Sequence, residues 1–165
     1  MASRVNSNLA RAGRVALVAT ALSLVAQAEA GGPYQFYALS PCRVVDTRNA
    51  NGPNGGPFLS ANTNRPFPIL GVGTCGVPLT AQAVVFNVTI AAPTDNGDLR
   101  IYPANQTMPF ASTINWRNGD SAIANGAIVP VADDGSGNHV AVRNDMPTGS
   151  TGHVHLILDV TGYFE

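Results

Sequence analysis

The chain is 165 residues long, and charged residues make up 12% of it, about half the share found in an average soluble domain. All nine of its basic residues are arginine; against ten acidic residues they give a formal net charge of −1, and beyond residue 30 the balance is six arginines to nine acids, formally −3. This excludes the basic stripe that nucleic-acid phosphates or an anionic membrane surface require. The 17 glycines and 12 prolines lie scattered between apolar stretches, as in a domain of many short elements joined by turns.

Residues 1–30 read as a secretory signal peptide. Arg4, Arg11 and Arg14 form a positive n-region, VALVATALSLVA over 15–26 is the apolar h-region, and Ala28-Glu29-Ala30 fits a small-x-small cleavage site. The apolar run is twelve residues long, where a spanning helix needs about twenty, so no membrane insertion is expected after cleavage. No pair of adjacent arginines precedes the run, which points to the general Sec-type route. Residues 31–165 are then expected to form one secreted domain, large enough for a single core.

Within that domain, apolar alternation recurs while no segment keeps a helical period free of Gly or Pro. YQFYAL and CRVVDT open the series, and RPFPIL follows an irregular stretch over 48–65. In QAVVFNVTIA, Val84, Phe86, Val88 and Ile90 share one face, with Val85, Asn87 and Thr89 on the other. DLRIYP, FASTINW, AIVPV and HVAVR come next, and the chain closes on HVHLILDVTGYF, where Val154, Leu156, Leu158 and Val160 oppose His153, His155, Ile157, Asp159 and Thr161. TDNGD, DDGSGN and MPTGSTG are turn signals between these runs. The sum is an all-β fold, a single β-sandwich of about nine short, mostly antiparallel strands. The two cysteines, Cys42 and Cys75, are expected to pair as a disulfide in an oxidising compartment; closing a loop of about 33 residues contributes about 3–4 kcal/mol. Without CxxC or Cys/His spacing, metal ligation is the weaker reading.

No recognisable catalytic constellation is present: there is no G-x-S-x-G elbow, no HExxH, no free Cys paired with His and no phosphate loop. Asp46 and Asp159 interrupt apolar runs, a costly placement unless each is paired, so a polar network of Arg43, Asp46, Arg48 and Asp159 is expected to tie the first strand to the last. The functional alternative makes Asp46 and Arg48 a ligand-contacting pair. Trp116, beside Arg117 and Asn118, suits stacking on a sugar ring if exposed, and plugs the core otherwise. His153 and His155 project from one face with His139 on a neighbouring strand, but outward polar positions of a half-exposed sheet explain them without a metal. The acidic turns at 95–98 and 133–134 lack the ligand pattern of an EF loop. No cofactor and no metal are expected.

PCRVVDTR, a glycine-rich loop, CGVP, AQAVVFNVT, GDLRIYP, STIN, IAN and the terminal HLILDVTGYF together resemble a domain family of exported bacterial proteins, over essentially all of residues 31–165. Members of that family stand alone, in tandem, or appended to secreted peptidases and glycan-active enzymes. The resemblance implies an all-β secreted or cell-surface module with no established catalytic mechanism. Its signature positions here are Cys42, Arg43, Asp46, Thr47, Arg48, Asn87, Asn115, Asn125, Asp159, Gly162 and Tyr163. No partner catalytic domain accompanies the module, so a free-standing exported protein is expected. The leading expectation is a non-catalytic interaction module at the cell surface or beyond it, binding cell-wall or extracellular polysaccharide. A structural subunit of a surface assembly, with other surface proteins or further copies of itself as partners, is the second expectation, and an Asp-dependent glycan hydrolase the third.

Overall fold

The computed structural model describes residues 32–165, so the expected signal peptide lies outside the described residues. They form nine strands and no helix: β1 (Phe36–Asp46), β2 (Leu59–Ser60), β3 (Thr63–Phe67), β4 (Ala83–Ala91), β5 (Gly97–Pro103), β6 (Ile114–Trp116), β7 (Ala122–Pro130), β8 (Val140–Asp145) and β9 (His153–Phe164). Two antiparallel sheets result. The first runs β1-β9-β4-β7, with β2 pairing the far end of β9, and the second runs β3-β8-β5-β6. The fold is the expected all-β sandwich.

Period-two alternation decides what each strand gives the core. Val84, Phe86, Val88 and Ile90 of β4 and Val154, Leu156, Leu158 and Val160 of β9 are all buried, in one cluster with Leu99 and Ile101 of β5 and Val140 and Val142 of β8. Asn144 is fully buried between the sheets, and its Nδ2 donates to Leu59 O and Ser60 O at 3.0 Å each, pinning β2 to β8.

Cys42 and Cys75 form a disulfide, with Cα atoms 5.4 Å apart. It closes the span that holds the irregular stretch, which also has an organisation of its own. Arg65 donates to Pro57 O at 2.6 Å and to Gly52 O and Gly55 O at 2.8 Å each, while its guanidinium lies 4.7 Å over the Phe67 ring. One cation thus gathers carbonyls that would otherwise point away from each other. Asn54 completes the arrangement on the β1 side, its Nδ2 donating to Val44 O at 2.7 Å and its carbonyl accepting from Asp46 N at 2.9 Å.

Candidate functional site

The outer face of the first sheet has no second layer on it within the described residues, and strand register sets its side chains in rows. One row reads Arg43, Asp159, Asn87, Gly126, and the next Asp46, Ile157, Thr89, Ala124. On the first row Arg43 grips Asp159 with two bonds, Nε to Oδ1 at 2.8 Å and Nη2 to Oδ2 at 3.2 Å, and extends Nη1 to Asp46 Oδ2 at 3.2 Å. Arg48 grips Asp46 in the same way, Nε to Oδ1 at 2.8 Å and Nη2 to Oδ2 at 2.7 Å, and the Arg48 backbone N–H adds a third bond at 3.1 Å. The four residues form a continuous chain, Asp159 to Arg43 to Asp46 to Arg48, in which both forks are bidentate.

Burial divides the roles within this chain. The Asp46 side chain is 6% exposed, whereas both arginine side chains are 47% exposed. Hydrogen bonds from the Arg48 side chain, helped by its backbone N–H and by both positive charges, outweigh desolvation and lower the Asp46 pKa from 3.8 to about 2. A glycosidase general acid needs its carboxyl pushed the other way. Both arginines respond in kind, their pKa values raised mainly by the carboxylates they grip.

Thr47 continues the lock. Its backbone N–H donates to Leu156 O at 3.0 Å, while its Oγ1 accepts from Leu156 N at 2.9 Å and lies 3.2 Å from His155 Nδ1. Past His155 the face ends in three rings. Phe58, itself 41% exposed, stacks on His153 with centroids 4.1 Å apart, and His155 stands edge-on to both. At the other end of the strand, Gly162 is a position where a Cβ would sit 2.6 Å from Phe36 Cζ and 2.8 Å from Tyr37 O, so a side chain there would displace the Phe36 ring.

The structure therefore brings Arg43, Asp46, Arg48 and Asp159 together and adds Thr47, Asn87, His153 and His155 to the same face. It does not bring Trp116 or Arg117 there. The expectation of an exposed, sugar-stacking Trp116 is corrected: the residue is 5% exposed, its Nε1 donates to Asp95 O at 3.0 Å, and its ring lies against Gly97, where a Cβ would be 2.7 Å from Cζ2. Ile114 and Trp116 alternate with Asn115 along β6, which turns the indole inward. Arg117 borders a shallow depression of about 390 Å³ with Asn115, Trp116 and Asp120, on the second sheet.

The remaining candidates are local. His139 stands apart from the other two histidines, its Nδ1 accepting from Ile69 N at 2.9 Å and Leu70 N at 3.2 Å, and burial lowers its pKa. Two carboxylates of the acidic turns accept hydrogen bonds from the protein: Asp95 from Ser150 Oγ of the neighbouring loop at 2.7 Å and Asn96 N at 2.8 Å, and Asp134 from Ser136 N at 3.0 Å. Sequence reasoning missed Phe58, for which a loop context gives no facing information. It also missed a second ionic group on the outer face of the second sheet, formed by Asp98, Arg100, Arg143 and Asp145. The same two-residue spacing of Asp and Arg that marks Asp46 and Arg48 was the available signal.

Neither a family model nor a curated protein matches this chain.

Proposed function

We propose that the protein is a secreted or cell-surface, non-catalytic interaction module of the bacterial family it resembles, and that its binding face for extracellular polysaccharide is the outer surface of the first sheet. One observation carries the reading: two half-exposed arginine side chains, held in fixed orientation by carboxylates, stand on the same uncovered face as an exposed phenyl ring stacked on an imidazole. Pinned guanidinium and carboxylate groups offer donors and acceptors at fixed spacing, which suits vicinal hydroxyls, and Phe58 supplies the apolar surface on which the carbon face of a sugar ring packs. Little side-chain entropy remains to be lost on binding, because the forks are already set. Export fits the Cys42–Cys75 disulfide and the absence, among the described residues, of any helix long and apolar enough to cross a membrane.

Polysaccharide pull-down followed by titration calorimetry tests the reading. Phe58→Ala combined with His153→Ala leaves the ionic chain untouched, and is expected to weaken binding about tenfold or more, 1.4 kcal/mol, at an unchanged melting temperature. Equal binding by parent and variant removes this face from the function. A parent protein that retains no polysaccharide removes the ligand class.

A further inference from the structure

Three of the four sheet edges are blunted against pairing with another strand. On β1, Asn54 occupies the edge at Val44 O and Asp46 N, Pro41 interrupts the strand, and its register with β9 shifts twice. Pro66 stands inside β3, and β6 is only three residues long. These are the usual devices that keep a sheet from growing. β7 has none of them before its final residue: Ala122–Pro130 carries no charge, shows no register shift against β4, and is exposed at most of its positions. Toward the second sheet, Val129 is buried in the core, Ile123 and Ala127 pack against it, and the Asn125 side chain donates to Thr113 O at 2.8 Å; the strand's open side is its backbone edge.

The direction of the free backbone groups follows from the ladder. Ala92 N–H donates to Ser121 O at 3.1 Å and Val131 N–H to Gln82 O at 3.0 Å, so the odd-numbered positions bordering β7 face β4. By the period-two rule the N–H and C=O groups of Ala122, Ala124, Gly126 and Ile128 point out of the sheet edge. The side chains of these same residues lie on the outer face, in register with Ala91, Thr89, Asn87 and Val85. Ile128 is 62% exposed there.

We propose that β7 is a self-association edge, pairing antiparallel with β7 of a second copy about a twofold axis at Gly126, the midpoint of the strand. Self-pairing suits this edge because no like charges meet, whereas a charged foreign strand would find no counter-ion along it. The twofold sets Ile128 opposite the partner strand's small Ala124, beside Gly126, so bulk meets space on both sides of the axis. A strand of nine residues is about 31 Å long. Its edge buries well under the ~800 Å² per partner of a stable complex, so the dimer is weak, reversible and favoured by crowding on a surface. This association does not depend on polysaccharide binding.

Register-specific cross-linking tests it on the purified protein. A Cβ at Gly126 meets nothing within 4 Å, so Gly126→Cys is sterically tolerated, and no cysteine among the described residues is free to compete. Under mild oxidation Gly126→Cys is expected to form a disulfide dimer, the paired Cα atoms standing about 5.5 Å apart, while Ala122→Cys, far from its own symmetry mate, stays monomeric. In parallel, the average mass of the parent protein in sedimentation equilibrium is expected to rise with concentration. Ala124→Pro, which removes an N–H that β4 does not use, is expected to weaken that association about tenfold or more. A parent protein monomeric at all concentrations, or Ala122→Cys cross-linking as readily as Gly126→Cys, overturns the proposal.

Discussion

Two sets of two aspartates and two arginines decorate the outer faces of the two sheets, and they are wired differently. On the first sheet, register sets Arg43 opposite Asp159, so attraction runs straight across the strands. On the second, it sets Arg100 opposite Arg143 and Asp98 opposite Asp145, like charge against like. Attraction there runs diagonally or along a strand: Arg143 Nε to Asp145 Oδ1 at 2.7 Å, Arg100 Nε to Asp98 Oδ1 at 3.3 Å and to Asp145 Oδ2 at 3.5 Å. Asp145 Oδ2 is buried without a hydrogen-bond partner, whereas both oxygens of Asp46 and of Asp159 are engaged. Residue type does not distinguish the two sets, and each contains an Asp and an Arg two residues apart along the chain. Cross-strand register does, because it decides whether the Arg43 fork meets the Asp159 carboxylate face-on or, as at Arg100 and Arg143, meets another guanidinium.

The largest expected effect contrasts the two carboxylates. Asp46→Asn leaves two guanidinia without their shared anion and is expected to cost about 3 kcal/mol, toward the lower bound for breaking a buried pair because both arginines can rehydrate. Asp145→Asn is expected to cost about 1 kcal/mol or less. Urea unfolding measures both, and equal losses would erase the distinction. If Asp46→Asn and Asp159→Asn both kept the parent melting temperature, the structural role of the first set would fall.

A smaller effect appears in acid. The folded-state pKa of Asp46 lies at about 2, below its ordinary 3.8, so the unfolded chain binds the proton more readily between these values. The corresponding stability, about 2 kcal/mol, is fully present above pH ~4 and is lost as pH falls toward 2. Asp46→Asn is expected to flatten that limb of the stability profile, as urea unfolding repeated between about pH 2 and pH 5 would show. The smallest effect is the coupling between Arg43 and Asp159. With side chains 47% and 21% exposed, a double-mutant cycle to alanine is expected to return about 0.5–1 kcal/mol, decreasing with added salt.

Much of this architecture is written into local pattern. The alternation in β4 and β9 fixes which residues enter the core, and an aspartate inside each of two apolar strands demands a cationic partner, which is how Arg43, Asp46, Arg48 and Asp159 can be grouped from sequence alone. Trp116 shows the limit. Its polar neighbours suggest exposure, yet Ile114 and Trp116 alternate with Asn115, and over three residues periodicity is too short to outweigh composition. Phe58 shows another limit, since its position over His153 depends on a loop organised by Arg65 and Asn54, whose bonds span 8 to 14 residues and leave no periodic trace. Which arginine faces which aspartate across two strands is likewise a matter of register, and register is settled by the folded sheet.

The pairing of β1 with β9 also sets how the domain carries load. Gln35 and Glu165 exchange backbone hydrogen bonds at 2.8 and 3.1 Å, and Phe36 stands opposite Phe164, so both ends of the domain leave the same pole of the first sheet. Tension between them unzips β1 from β9 one rung at a time, the compliant direction for an antiparallel pair. The first rungs past Ala38 and Gly162 to resist are at Cys42 and Arg43, where a covalent bond to Cys75 and a two-pronged grip on Asp159 follow in succession. A tether pulling on this protein thus peels back a short apron of aromatic residues and then meets a stop.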